Sequence, residues 1–466
     1  MTSISDSARP VTHPGTLKSR WAAALLALSG WLLAGSTVVA AERPPNIVLI
    51  LADDLGWGDV SFNGRKEWRT PHLDRLAEQG TMFRRWYTAG VVCAPSRAAL
   101  MTGRYGIHNG VVGNNDDLPR AETTLAEALK RQGYVTALVG KWHHGQTRPG
   151  EMDYVHPLDH GFDEFFGYTN ARHAWEHFPK ELWFDREKKP VQGFAGALLT
   201  DRAIDFVKRH RTRPFFLYLA PIAPHLLIEA PDGDVAQFRG KFAEKDSTKP
   251  YNAIYAAMIT RLDQEIGRFL KSLDEVGSAD NTMVLFSSDH GATFEEGNQG
   301  ASAYHDSNRP FRGHKRTLWE GGIRVPGVVR WPGKVPAGKV SSDLVHMTDV
   351  LPTLLAAAGA EADPAWKVDG LNLLPVWQGQ AKPPERTLFW EWRSEGAQQT
   401  AAMRGDLKLV ITGNSRPELF NVENDPAERR SLHGEHPELL RQLQQELRTW
   451  LATESEAAKW GKPSMR

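Results

Sequence analysis

In Asn46-Ile-Val-Leu-Ile-Leu51 an unbroken apolar run leads straight into Ala52-Asp53-Asp54. A strand exposed on one face alternates polar and apolar residues. An unbroken run predicts instead a strand covered on both faces, as in a parallel sheet flanked by helices. Residues 134–139, 214–219 and 282–286 repeat the pattern. Helical signals stand between these runs. Thr70-Pro71 opens a helix that Gly80 closes, and Thr124 with Glu127 forms a capping box for a helix stopped near Gly133. Residues 201–209 and 251–273 read as helices. Alternation of this kind predicts the α/β class.

Each run ends in an unusual polar cluster. The first meets Asp53-Asp54, the second Lys141-Trp142-His143, the third Pro224-His225 and the fourth Asp289-His290. Open α/β sheets bind ligands beyond the carboxyl ends of their strands, so four such clusters from distant parts of the chain predict one shared site. Adjacent carboxylates at the end of an apolar strand repel one another unless a cation sits between them. Asp53, Asp54, Asp289 and His290 together suit a hard or borderline divalent ion; either pair alone would read as an ordinary polar turn.

The rest of the chain bounds the problem. It has 466 residues, with 56 Lys+Arg against 56 Asp+Glu, so no cationic excess exists to neutralise phosphates, which excludes a general nucleic-acid or anionic-membrane binder. The length predicts one large domain and a smaller one, and a composition 41% hydrophobic can bury a sizeable core. A change in composition near residue 360 places the boundary at about 365. A catalytic part then spans 42–365, and 366–466 holds a small strand pair around 401–411 and a terminal helix near 437–452. The single cysteine, Cys93, excludes an intrachain disulfide and a thiolate metal cluster.

At the N-terminus Lys18 and Arg20 precede Trp21-Ala-Ala-Ala-Leu-Leu-Ala-Leu, and the stretch closes on Val39-Ala40-Ala41. This is the layout of a secretory signal cleaved after Ala41. An uncleaved anchor is the alternative, because the run approaches the ~20 residues needed to span a bilayer. With cleavage no membrane attachment remains, and an exported chain without disulfides fits a bacterial periplasm or exterior.

Cys93 sits in Cys93-Ala94-Pro95-Ser96-Arg97, just before the helix-like run Ala98-Ala-Leu-Met-Thr102 that Gly103 ends. A reactive group there faces free backbone amides that favour anions, and Arg97 adds a planar cation suited to sulfate or phosphate. This Cys-x-Pro-x-Arg stretch resembles the signature of the sulfatase family, in which the cysteine is oxidised to formylglycine. Gly140-Lys-Trp-His-His-Gly145 is similar to the second signature. Asp53-Asp54-Leu-Gly56, Pro224-His225, Ser288-Asp289-His290-Gly291 and Lys315 with Glu320-Gly-Gly-Ile-Arg324 complete the set in family order. The resemblance extends to Glu418-Leu-Phe-Asn-Val422 and Asp425-Pro426.

The resemblance implies an alkaline-phosphatase-like fold, a large mixed-sheet α/β/α domain with a smaller C-terminal α+β domain. It implies a hydrolase of sulfate esters on a sulfated saccharide or aryl sulfate, matured by a formylglycine-generating enzyme. Hydrated formylglycine at position 93 would attack sulfur through one hydroxyl, and deprotonation of the other would expel sulfate. Asp53, Asp54, Asp289, His290 and residue 93 would hold the metal. Arg97 would hold the hydrate, His143 would assist its proton transfers, Lys141 and Lys315 would bind sulfate oxygens, and His225 would protonate the leaving oxygen. Calcium is the family's usual ion. His290 stands where many arylsulfatases have Asn, and its softer imidazole admits manganese or another divalent ion.

His290 also keeps a phosphonate or phosphate-diester hydrolase open as the second reading, with an inactive sulfate-glycan binding protein as the third. Arg172, His173, Trp175 and His177 resemble the substrate-facing stretch of bacterial carbohydrate sulfatases, and His305-Asp306 is a weaker candidate of the same kind. His144 receives no role. Oligomeric state leaves no trace in the sequence.

Overall fold

The computed structural model describes residues 43–146, 155–394, 397–456 and 458. The leader through Ala41 lies outside the described residues. Ten strands form the large sheet: β1 Asn46–Ala52, β2 Thr81–Tyr87, β3 Val135–Lys141, β4 Glu164–Tyr168, β5 Glu181–Phe184, β6 Glu187–Pro190, β7 Phe215–Ala220, β8 Thr282–Ser288, β9 Gly327–Arg330 and β10 Lys339–His346. Their order is β10-β2-β9-β8-β1-β7-β3-β4-β5-β6. The middle is parallel, with Ile47 opposite Phe216 on one side and Met283 on the other, and β9 runs antiparallel to both its neighbours.

The continuous hydrophobicity of β1 now has its cause. Val48 and Ile50 enter one core layer, while Ile47, Leu49 and Leu51 enter the other. Helices α1 Pro71–Glu78, α4 Ala195–His210 and α5 Tyr251–Glu275 cover the first face. Helices α2 Cys93–Thr102, α3 Leu125–Arg131 and α6 Val350–Ala357 cover the second. The capping box of α3 is formed at both ends: Thr124 Oγ1 accepts the Glu127 amide, and Glu127 accepts the Thr124 amide. Two boundaries differ from the sequence reading. Helix α4 begins six residues before 201, and α2 takes in Cys93 itself as its first residue.

The smaller sheet is antiparallel, with β11 Thr387–Ser394, β12 Ala397–Arg404, β13 Leu407–Thr412 and β14 Glu418–Asn421 in sequence order, where the sequence showed only one strand pair. Trp390, Met403 and Val410 pack one face against Tyr87, Leu318 and Ile323 of the large domain, and α7 Pro437–Leu451 closes the other through Leu443 and Leu447. A buried ion cluster crosses the first interface. Lys408 Nζ of β13 lies 2.9 Å from both Glu320 and Glu428, and the Tyr87 hydroxyl donates to Glu320 at 2.7 Å. Among the described residues no helix is long and apolar enough to cross a membrane.

Candidate active site

β8, β1, β7 and β3 lie side by side and parallel, so their carboxyl ends reach one edge of the sheet. Asp53 and Asp54 follow β1, Asp289 and His290 follow β8, and His225 follows β7. Lys141 is the last residue of β3. Helix α2 delivers Cys93 from its first turn and Arg97 one turn later. Backbone bonds knit these ends together: the Asp289 amide donates to Ala52 O at 3.1 Å, and the Asp54 amide to Asp289 Oδ1 at 3.1 Å.

The side chains then interlock. Lys141 Nζ lies 2.6 Å from Asp53, Arg97 lies 2.9 Å from Asp289 and 3.2 Å from Asp53, and Lys315 Nζ lies 3.2 Å from Asp54. The His290 Nδ1–H donates to Gly291 O at 3.0 Å, because a carbonyl can only accept. That leaves His290 Nε2 facing Cys93 Sγ at 3.2 Å and Asp54 at 3.4 Å. The same logic fixes His225: its Nδ1–H donates to Leu226 O at 2.7 Å, and Nε2 lies 3.9 Å from Asp54. In His143 the order reverses. Nε2–H donates to Asn114 O at 3.0 Å, and the buried Nδ1 has no hydrogen-bond partner among the described residues.

Burial dominates the electrostatics here. It pushes the Asp54 carboxyl up to about 6 even with Lys315 beside it. It also works against the Asp53 carboxylate, but Lys141, His225 and Arg97 outweigh it and hold that group well below the usual range. Burial, aided by Lys141, pushes the His143 imidazole well down. Burial pushes the Cys93 thiol well up, so this sulfur is neutral and is no thiolate nucleophile as it stands.

Backbone geometry is strained at the same place. Asp54 (φ 64) and His143 (φ 79) occupy the left-handed region that ordinary residues avoid. Gly291 packs so tightly that a Cβ there would fall 1.8 Å from Gly321 O, which explains glycine after His290. Gly140 faces Ala220 O of the neighbouring strand in the same way, at 2.0 Å.

The remaining sequence candidates are not among these interlocked side chains, although two of them brace the His225 loop through its backbone. Trp175 is exposed, and its carbonyl accepts the Leu227 amide at 3.3 Å, two residues beyond His225. Arg172 precedes the same turn, and His173 packs edge-on against Tyr168 with Nε2 on Glu181 O. His177 is buried and donates through Nε2 to His225 O at 3.0 Å. His305 is not brought to the cluster. It is buried against Trp68, Phe242 and Tyr255, with Nε2 on Asn252 O at 2.9 Å.

Three contributors escaped the sequence reading. Asn114 Oδ1 accepts the Ala94 amide at 3.3 Å while its carbonyl holds His143. The Tyr218 hydroxyl accepts from Arg97 at 3.3 Å, and Glu295 lies 3.1 Å from Lys315. Only Tyr218 carried a signal, a hydroxyl in an otherwise apolar buried strand.

Asp53, Cys93, Asp289 and His290 offer donor atoms within 4.8 Å of one another, as do Asp53, Asp54, Cys93 and His225. Buried carboxylate oxygens around an imidazole lone pair fit a divalent ion. Site and fold together define an α/β protein with a buried, polar candidate metal site at the carboxyl edge of its sheet. The sulfatase family profile matches residues 45–360, and that of the N-sulphoglucosamine sulphohydrolase C-terminal region matches residues 312–456. The chain belongs to the sulfatase family and is a sulfuric ester hydrolase.

It is 37% identical to N-acetylgalactosamine-6-sulfatase of Homo sapiens, over 76% of this chain and 70% of that protein. It is 30% identical to steryl-sulfatase of Rattus norvegicus, over 93% of both. The crystal structure of Ps i-CgsB in complex with k-i-k-neocarrahexaose superposes with TM-score 0.81 at 31% identity, covering 89% of this chain and 94% of that one.

Proposed function

We propose that this protein is an exported, formylglycine-dependent sulfatase that removes sulfate from a saccharide with the help of a divalent ion. The observation that carries the reading is the setting of Cys93. Its sulfur is neutral, stands on the first turn of a helix, and lies 3.2 Å from His290 and 3.5 Å from Asp53. A thiol so placed makes a poor nucleophile; converted to formylglycine, residue 93 would bring hydroxyl oxygens to the place the sulfur now holds. The ion, calcium by family habit, would be held by Asp53, Asp54, Asp289, His290 and residue 93, and would acidify the attacking hydroxyl.

The other residues act around this centre. Arg97, tied to Asp289 and Tyr218, orients residue 93. Lys141 and Lys315 already hold their ammonium groups at the carboxylate cluster, where sulfate oxygens would gain them as counter-charges. His143 has its proton on Nε2, so its Nδ1 is the nitrogen free to take a proton from the hydrate. His225 keeps its Nδ1 proton on Leu226 O, and would give the leaving oxygen a proton from Nε2 only as imidazolium, a form that burial opposes and the neighbouring Asp53 carboxylate favours. Support for a saccharide comes from the relatives, one named for N-acetylgalactosamine 6-sulfate and one bound to an oligosaccharide, and from Trp175 exposed beside the His225 loop. The leader's layout supports export.

The test is peptide mass mapping of active protein beside its turnover of 4-nitrophenyl sulfate. Activity should rise in proportion to the fraction of residue 93 converted, and full activity with Cys93 wholly unmodified would refute the mechanism. His290 favours one second reading, a phosphate-diester hydrolase. Faster turnover of bis(4-nitrophenyl) phosphate than of the sulfate would establish it.

A further inference from the structure

The loop that follows His290 has an inner and an outer side. Inward, Glu295 lies 3.1 Å from Lys315 Nζ, which itself lies 3.2 Å from Asp54; Arg316 holds its other oxygen at 2.8 Å. Outward, the same Glu295 lines a cavity of about 660 Å³. Such a volume falls within the ~300–1,000 Å³ typical of small-ligand sites. The facing wall is the segment 243–246 and the start of α5. The loop also touches the other flank of the site: Leu226, whose carbonyl fixes the His225 proton, packs against Gly297. The cavity wall is thus linked to the proposed metal ligand Asp54 through two successive ion pairs, Glu295 to Lys315 and Lys315 to Asp54, and the loop that carries Glu295 touches the residue after the proposed general acid.

Its lining combines aromatic rings with charged and amide groups. Tyr304 is half exposed, and its hydroxyl accepts the Ala243 amide at 3.1 Å, which pins the ring at the cavity rim. Phe294 and Tyr304 give the cavity a largely apolar lining set with a few polar groups, which suits a ligand that has both C–H faces and hydroxyl groups. The charges are unequally engaged. Glu244 is occupied by the Asn252 and Ala253 amides, and Glu295 by its two cations. Exposed to a ligand are the Glu296 carboxylate, the Gln299 amide and the second oxygen of Asp246, whose Oδ1 accepts the Thr248 amide and hydroxyl, against the Lys245 ammonium. A wall with this surplus of acceptors takes hydrogen bonds from hydroxyl groups and repels sulfate or carboxylate.

We infer that this cavity is a subsite for an uncharged pyranose unit next to the unit that carries the scissile sulfate. The inference rests on the saccharide reading above, and adds that the substrate is at least a disaccharide whose neighbouring unit on this side bears no charge.

The test uses the full-length Cys93→Ala chain, which binds without turnover, on an array of sulfated galactose, N-acetylgalactosamine, glucosamine and fucose saccharides. Each is displayed as the sulfated monosaccharide and as oligosaccharides with charged and uncharged neighbours. Oligosaccharides with an uncharged neighbour should bind about 10-fold more tightly than the monosaccharide, and Tyr304→Ala or Glu296→Ala should remove that advantage while leaving monosaccharide binding intact. The same two substitutions in the Cys93 enzyme should leave 4-nitrophenyl sulfate turnover unchanged. Equal affinity for mono- and oligosaccharides, preference for a charged neighbour, or an advantage that survives both substitutions would overturn the subsite. Hydrolysis of 4-nitrophenyl sulfate with no binding to any saccharide would instead overturn the saccharide reading, and the subsite with it.

Discussion

Replacing Lys408 by Met removes the ammonium that lies 2.9 Å from both Glu320 and Glu428, deep between the small sheet and the large domain. Burial pushes the Glu320 carboxyl up, but Lys408 and Arg324 outweigh it and hold that group below its ordinary value. Burial pushes Glu428 up to about 7 despite Lys408. After the substitution Glu320 keeps the Tyr87 hydroxyl and Arg324, while the Glu428 side chain keeps the Glu320 amide at 2.7 Å. Breaking a buried pair by removing one partner costs about 3–5 kcal/mol, a large share of the ~5–15 kcal/mol typical of a whole protein.

The cost depends on pH, and its sign follows from the raised Glu428 value. A carboxyl whose folded pKa lies above its unfolded one favours the fold when protonated, and that contribution fades as pH rises through about 7. Without Lys408 the folded value rises further, so the fading continues to higher pH, at up to about 1.4 kcal/mol per pH unit. Urea unfolding followed by tryptophan fluorescence at pH 5 and pH 8 measures it. The penalty should be largest at pH 8, and Glu428→Gln added to Lys408→Met should recover at least ~2 kcal/mol there. A Met variant within ~1 kcal/mol of the parent at pH 8, or equally penalised at both pH values, would refute the reasoning.

Four other outcomes are expected. His225→Ala should slow hydrolysis of a sugar sulfate by about 10²–10⁴-fold but that of 4-nitrophenyl sulfate far less, since a phenolate leaves without a proton; equal losses would remove the general-acid role. Asp53→Ala and Asp289→Ala should abolish retention of a divalent ion, read by elemental analysis, whereas His290→Asn should retain one and shift preference toward calcium. Gly291→Ala should deplete both folding yield and metal content, because its Cβ would meet Gly321 O at 1.8 Å. Burial pushes the His177 imidazole down to about 4, so the stability it carries is complete above its ordinary value of 6.5 and is lost as pH falls toward 4. His177→Phe should accordingly shrink the stability difference between pH 7 and pH 4 by on the order of 3 kcal/mol, measured by urea unfolding.

The sequence displayed the site more fully than the sheet. β1, β3, β7 and β8 announce themselves because burial on both faces leaves an unbroken apolar run with chemistry at its end. The flanking β2 does not: Arg84 and Arg85 interrupt it, and Arg85 is accommodated only because Asp406 and Gly405 arrive from over three hundred residues away. Long-range partners explain the other gaps. His305 sits in a polar stretch that reads as surface, yet Trp68 and Tyr255 close over it. Lys408, Glu320 and Glu428 each look like ordinary surface charges until the small sheet docks. Glu295 lies in a Thr-Phe-Glu-Glu segment with no periodicity, and its pairing with Lys315 exists only in the folded chain.

The complete burial of Cys93 sets an order of events in the life of the chain. Residue 93 lies on a helix whose every residue is enclosed, with Asp53, Arg97 and His290 packed around it. The finished fold leaves no exposed backbone at this residue for a modifying enzyme to reach. The conversion proposed for this residue therefore belongs to the interval between synthesis and folding. A molecule that folds first is excluded from repair, because reopening the cluster means unfolding the sheet's carboxyl edge. Under that proposal fast folding and complete activation would compete, and the active fraction of a preparation would record which of the two came first.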